Sequence, residues 1–270
     1  EKIPQIVADL KGIIFKAPST GPFDPGMQGE GWDAGWQAAD EYLSGNVRQK
    51  LEEAKEAAST YPEFAVNVEA LEKVQPKELS APEISVRIGV PWIDTKYYRQ
   101  FLFELLNPPT RLRRGKVDVL YSESTGEWHV KRDVEAVRQS DTRVWNTYGT
   151  KRISAYEIFE NTLNQRPIQI FDYKESEDGR EIRVLNGKET AIAQQKQEAI
   201  KEAFQNWIFK EPERRADLCG IYNRLFNSVR PREYDGRHII FSGMNPEKRL
   251  EAHQRNAVAR ILYGGNTLLA

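Results

Sequence analysis

A chain of 270 residues, 39% apolar and 29% charged, is long enough to bury one large core or two smaller ones. Its 39 Lys+Arg against 40 Asp+Glu and mean hydropathy of −0.66 carry no signature of a disordered chain, and no run approaches the ~18 apolar residues of a membrane span. One cysteine, Cys219, excludes an internal disulfide and fits a reducing cytoplasm.

In chain order, residues 1–36 are rich in Gly and Pro (APSTGPFDPGMQGEGWDAGW) and predict an irregular linker tethered by Trp32 and Trp36. Residues 37–80 predict a helical hairpin. Ser44 or Asn46 can cap a helix with Val47, Leu51 and Ala54 on its buried face; Pro62 interrupts, and Phe64, Val68 and Leu71 resume the spacing.

Residues 82–186 predict an α+β domain. ISVRIGV alternates as a strand, and WIDTKYYRQFLFELL follows as an amphipathic helix capped by Asp94 or Thr95 and stopped by Pro108-Pro109. VDVLYSESTGEWHVKRD reads as a hairpin turning at Ser124-Thr125-Gly126, ISAYEIFENTLN as a helix, and IQIFDYKESEDGREIRVLN as a second hairpin turning at Asp178-Gly179. The two hairpins are expected to share a sheet. Ile84, Val86 and Ile88 are expected in one core with Phe101, Leu105 and Ile158. Residues 187–246 predict two helices, the second opened by Pro212, and a short strand at His238–Phe241. The fold class expected is α+β throughout.

Three histidines and Cys219 show no metal-ligand spacing, and no GxSxG, HExxH or GxGxxG occurs, so neither a catalytic nor a metal-binding residue is assigned. Asp172, Glu181 and Lys188 echo a metal-nuclease pattern, but the spacing is generic and they read as hairpin polar residues. The charge distribution says more. Residues 28–83 hold 12 acids and 5 bases, whereas residues 210–260 hold 11 bases and 7 acids. In the basic stretch Arg230, Arg232, Arg237, Lys248, Arg249 and Arg255 are interleaved with Tyr222, Phe226, Tyr234 and His238. Guanidinium forks suit phosphate oxygens and aromatics suit unpaired bases. The plainer alternative is a set of ion pairs with Glu211, Glu213, Glu233 and Asp235.

The words RADLCGIYNRLFNSVRPREYDGRHIIFSGMN and LEAHQRNAVARILYGGNTLLA resemble a family of large proteins of bacterial mobile elements and phages. These are SNF2-related, DEAD-box-like helicases, often fused to an N6-adenine DNA methylase. DEYLSGNVRQKLEEA, ISVRIGVPWIDTKYYRQFLFELL and NGKETAIAQQKQEAIKEAFQNWIF are similar to it as well, so the resemblance covers residues 37–270. It implies that 247–270 begin a RecA-like lobe and that Gln254 is the glutamine that pairs with adenine. A strand from Thr267 would stop at Ala270, just short of a Walker A loop, and the start at Glu1 likewise suggests a cut from something longer. Asn107-Pro108-Pro109-Thr110 mimics the methylase tetrapeptide but has Thr in place of its aromatic, and reads as a helix stop.

The expected function is therefore an accessory region of a superfamily-2 DNA helicase–methylase that contacts DNA and couples the catalytic modules, without catalysis of its own. It would hold no cofactor, ATP and Mg²⁺ belonging to the parent protein. Its partners would be DNA and the parent's helicase and methylase domains. The alternative is a scaffold or protein-interaction module without DNA contact.

Overall fold

A computed structural model describes residues 3–22, 34–134, 142–175, 181–245 and 247–264. The class is α+β, and the strands form four separate two-stranded antiparallel ladders among the described residues. The chain divides into two compact units, residues 1–79 with 221–270, and residues 80–220.

The first unit opens with helix α1 (Ile3–Asp9) and strand β1 (Ile14–Lys16), which pairs with β2 (Trp36–Ala38). A linker is expected there. The local apolar run supplies the correction, because Phe15 is buried and stacks on Tyr42 with centroids 5.1 Å apart. Of the tethering tryptophans, Trp36 lies in β2 and Trp32 is outside the described residues.

A short helix α2 (Ala39–Tyr42) and strand β3 (Gly45–Asn46) lead into α3 (Val47–Thr60). Asn46 is the cap, its side-chain oxygen accepting the Gln49 N–H at 3.1 Å. A 3₁₀ turn at Pro62–Phe64 precedes α4 (Ala65–Lys73). The expected hairpin thus forms, and Val47, Ala54 and Leu71 join Phe15 and Tyr42 in its core. Asn67 is buried among them; its Nδ2 donates to Lys16 O and to Tyr42 Oη, each at 2.9 Å.

In the second unit Ile84, Val86 and Ile88 are buried and Ser85 and Arg87 exposed, as an alternating strand requires, yet no ladder forms. Side chains take the backbone groups that follow instead: Gly89 N–H donates to Tyr98 Oη, and Trp128 Nε1 donates to Gly89 O. Helix α5 (Thr95–Leu106) is capped by Asp94, which accepts the Lys96 N–H at 2.7 Å. It buries Tyr97, Tyr98, Phe101, Leu102, Leu105 and Leu106. Asn107 ends it in the left-handed conformation (φ 47°), so the Asn-Pro-Pro-Thr run is a helix stop followed by α6 (Thr110–Arg113).

Strands β4 (Val117–Ser122) and β5 (Glu127–Arg132) pair with Val119 opposite Val130 and pack on α5 and on α7 (Ala155–Leu163). Ser154 and Glu157 form a capping box at the start of α7. The second hairpin, β6 (Phe171–Glu175) with β7 (Glu181–Leu185), is a ladder of its own rather than part of a shared sheet. The reason is burial: Tyr173, Ile182 and Leu185 are exposed, so no apolar face draws it onto the other hairpin. Its Asp178-Gly179 turn lies outside the described residues. Helix α8 (Gly187–Ile208) packs on α7 through a core in which Phe101, Phe204 and Trp207 meet ring to ring.

Helix α9 (Pro212–Phe226) begins in the second unit, where Glu211 accepts the N–H groups of Glu213 and Arg214. Its last two turns belong to the first unit, where Asn223 is buried and clips Leu79 both ways. The Asn223 Oδ1 accepts the Leu79 N–H at 2.8 Å and its Nδ2 donates to Leu79 O at 2.9 Å. The strand expected at His238–Phe241 does not form; β8 is Val229–Arg230 and pairs with β3. Ile240 is 91% exposed, so the run lacks a buried face to hold it in a sheet. The last described element is α10 (Ala252–Gly264).

Candidate functional site

The candidate residues lie in the first unit, between β8 and the start of α10. The loop after β8 is fixed on α10 by polar and ring contacts. Gly236 N–H donates to Asn256 Oδ1 at 3.0 Å, and His238 stacks on Tyr263 with its Nε2 3.1 Å from the Tyr263 hydroxyl. Gly236 approaches α10 so closely that a Cβ there would run into the Arg255 carbonyl, an approach that glycine alone permits.

Three arginines project from the end of β8 and this loop, and each meets carboxylates of the same unit. Arg230 donates through Nη1 to Leu43 O at 3.1 Å and pairs through Nη2 with Glu233 at 3.3 Å. Arg232 places both Nε and Nη2 2.8 Å from Asp40 Oδ2, reaches Glu41 at 3.8 Å and lies over the Tyr234 ring at 5.1 Å. Its side chain is 27% exposed, so this pair is partly withdrawn from solvent. Arg237 is 83% exposed, and Asp235 holds its Nη2 at 2.8 Å. The Arg237 side chain and backbone N–H in turn keep the Asp235 carboxyl below the ordinary carboxylate range.

The other candidates are less engaged. Lys248 and Arg249 are exposed and form no ion pair among the described residues. Arg255 is half-buried, and its buried Nε has no hydrogen-bond partner among the described residues. Gln254 is exposed, and its Oε1 accepts the Glu251 N–H at 2.9 Å, which is a capping role at the start of α10. The strand from Thr267 lies outside the described residues.

An open cleft does gather four arginines, Arg230, Arg232, Arg237 and Arg260, but Asp40, Glu233 and Asp235 line it too. The counter-charges in the acidic N-terminal stretch were missed at the sequence level. The signal was the charge split itself: two oppositely charged stretches of one chain are each other's nearest partners. Arg214, counted with the basic stretch, is buried elsewhere; it donates to Ile208 O and Trp207 O, stacks 3.6 Å over Trp207, and burial lowers its pKa. Of the nuclease-like set, Asp172 is taken by Arg152 at 2.8 Å and by Asn186 at 2.7 Å, while Glu181 faces Glu175 across the ladder.

Residues 87–228 match a family described as Domain of unknown function (DUF8437). No curated protein and no solved structure matches the chain. The match spans more than half of the chain, which therefore belongs to that family.

Proposed function

We propose that this chain is an accessory region of a superfamily-2 DNA helicase of the kind fused to an N6-adenine methylase, and that its C-terminal segment couples modules through protein contacts. ATP and Mg²⁺ belong, in this reading, to the parent protein. The observation that carries the choice of protein over DNA is the pairing of Arg232 with Asp40, through two nitrogens at 2.8 Å, and with Glu41. Side chains held in this way cannot meet phosphates without abandoning their carboxylates. The segment also leaves apolar side chains exposed, Ile240, Ile261, Leu262 and Tyr263. Such groups suit a protein surface better than a phosphate backbone.

The second reading, DNA contact by the same segment, draws on Lys248, Arg249 and Arg260, which are exposed and form no ion pair among the described residues. Replacing Arg230, Arg232 and Arg237 together by Ala separates the two. Under the coupling reading the melting temperature falls, and the dependence of any duplex affinity on salt stays as it was. A salt slope reduced by about 0.9 per arginine with unchanged melting would install the DNA reading instead. The purified chain should also hydrolyse no ATP and transfer no methyl group; a metal-dependent ATPase rate above background would sink the assignment.

A further inference from the structure

The most one-sided charge in the second unit lies between Thr95 and Lys116, with six bases (Lys96, Arg99, Arg111, Arg113, Arg114, Lys116) against the single acid Glu104. Three of those bases, Lys96, Arg99 and Arg113, line one cleft of about 420 Å³ along α5. Glu104 also lines that cleft, held by Trp207 Nε1 at 2.6 Å and Gln100 Nε2 at 3.2 Å; both donors are neutral, so three cations face one acid there.

Arg113 differs from the arginines of the C-terminal segment in how it is held. Its Nε donates to Pro108 O at 2.8 Å, its Nη2 donates to Asn107 Oδ1 at 2.7 Å, and the guanidinium lies 5.6 Å from the Phe103 ring centroid. All three partners are neutral. The group is fixed in place and its charge is not cancelled, since no carboxylate pairs with it among the described residues. Beside it Arg114 is exposed with no ion pair among those residues. Of the other two cations, Lys96 is in a loose surface pair with Asp217 at 3.7 Å, of a kind worth little in water, whereas Arg99 pairs at 3.4 Å with Asp118, which is 24% exposed and also accepts the Val119 N–H. A competing phosphate can displace the Asp217 carboxylate at small cost. A positioned but uncompensated guanidinium flanked by such an exchangeable cation and by the unpaired Arg114 is what a run of phosphodiesters requires.

We infer that the cleft of Lys96, Arg99 and Arg113, extended by Arg114, is a binding surface for the phosphate backbone of a nucleic acid. The inference rests on the DNA-helicase reading only in choosing a nucleic acid over other polyanions. Its sequence signal was split between the start of α5 and α6 with the residue after it, and so was diluted in longer windows.

The test uses the full chain with labelled duplex and single-stranded DNA over a salt series, and a polyglutamate peptide in parallel. The double variant Arg113→Glu, Arg114→Glu should lower the salt slope on duplex DNA by about 0.9 for each phosphate that is no longer neutralised. Because Arg113 also ties down Pro108 O, a second double variant, Lys96→Glu with Arg114→Glu, repeats the test with exposed side chains that hold no backbone group. Both slopes should fall, while the Arg230, Arg232 and Arg237 triple variant keeps the wild-type slope. DNA binding with an unchanged slope in both double variants overturns the cleft and leaves the helicase reading standing. Binding of polyglutamate without DNA overturns the cleft as a nucleic-acid site and removes support from that reading as well. Wild-type protein that binds neither polymer also overturns the inference.

Discussion

Tyr98 is fully buried, and its hydroxyl is satisfied twice: it donates to Val90 O at 3.0 Å and accepts the Gly89 N–H at 3.1 Å. Burial pushes its pKa well above the ordinary tyrosine value, and the Gly89 and Val90 backbone bonds offset only part of that rise. The folded state therefore holds this proton more tightly than the unfolded chain does. Its contribution to stability is complete below about pH 10, the unfolded value, and is lost as the pH rises through the higher folded value. Alkaline unfolding should thus steepen above about pH 10. Tyr98→Phe should cost about 0.5–1.5 kcal/mol per hydrogen bond at neutral pH and make that alkaline limb shallower. Tyr42 and Tyr97 are raised as well, also by burial first, so the limb should not vanish. Denaturant titrations of both proteins across that range decide the matter. An identical pH profile would show that the Tyr98 hydroxyl does not govern it.

At the scale of elements, the sequence patterns marked burial more reliably than pairing. The alternation in ISVRIGV correctly places Ile84, Val86 and Ile88 inside, but alternation only requires an extended backbone, and side chains can replace a partner strand. The caps were read from local chemistry as one of two residues at each helix, and the structure takes Asn46 over Ser44 and Asp94 over Thr95. The two-hairpin sheet was not, because register between separate hairpins depends on which faces are buried, and Tyr173 and Ile182 are exposed. The extended segment ends at Gly89, whose φ is 87° and whose missing Cβ leaves room for the Leu163 carbonyl. Gly89→Ala should therefore cost about 1–3 kcal/mol from backbone strain alone, with the collision against α7 added. An alanine variant as stable as wild type in urea would mean that this segment shifts freely against α7.

The whole molecule is where local reading had least purchase. The candidate arginines were legible as residues, as were Glu233 and Asp235 beside Arg230 and Arg237, but the acids facing Arg232 were not, because it meets Asp40 across 192 residues of sequence. The same holds for the first unit as a body, which joins residues 1–79 with 221–270. Nothing in the local pattern of Asn223 or Asn227 tells which distant carbonyl each will reach. In the structure Asn223 clips Leu79, Asn227 donates to Lys77 O at 2.8 Å, and Arg48 donates to Asn227 O at 2.9 Å. Val47 N–H adds a bond to Ser228 O at 3.0 Å, and β8 pairs with β3. Each such bond contributes about 0.5–1.5 kcal/mol, and several together rival the ~5–15 kcal/mol that holds a domain folded. A chain cut after Gly220 loses all of them, although α3 and α4 stay covalently intact. Hydrogen exchange of this shortened chain should show α3 and α4 losing protection, while α5, β4, β5 and α7 keep theirs. Equal loss throughout would mean that the two units unfold as one. Full protection of α3 and α4 would mean instead that residues 221–264 decorate the first unit without completing it.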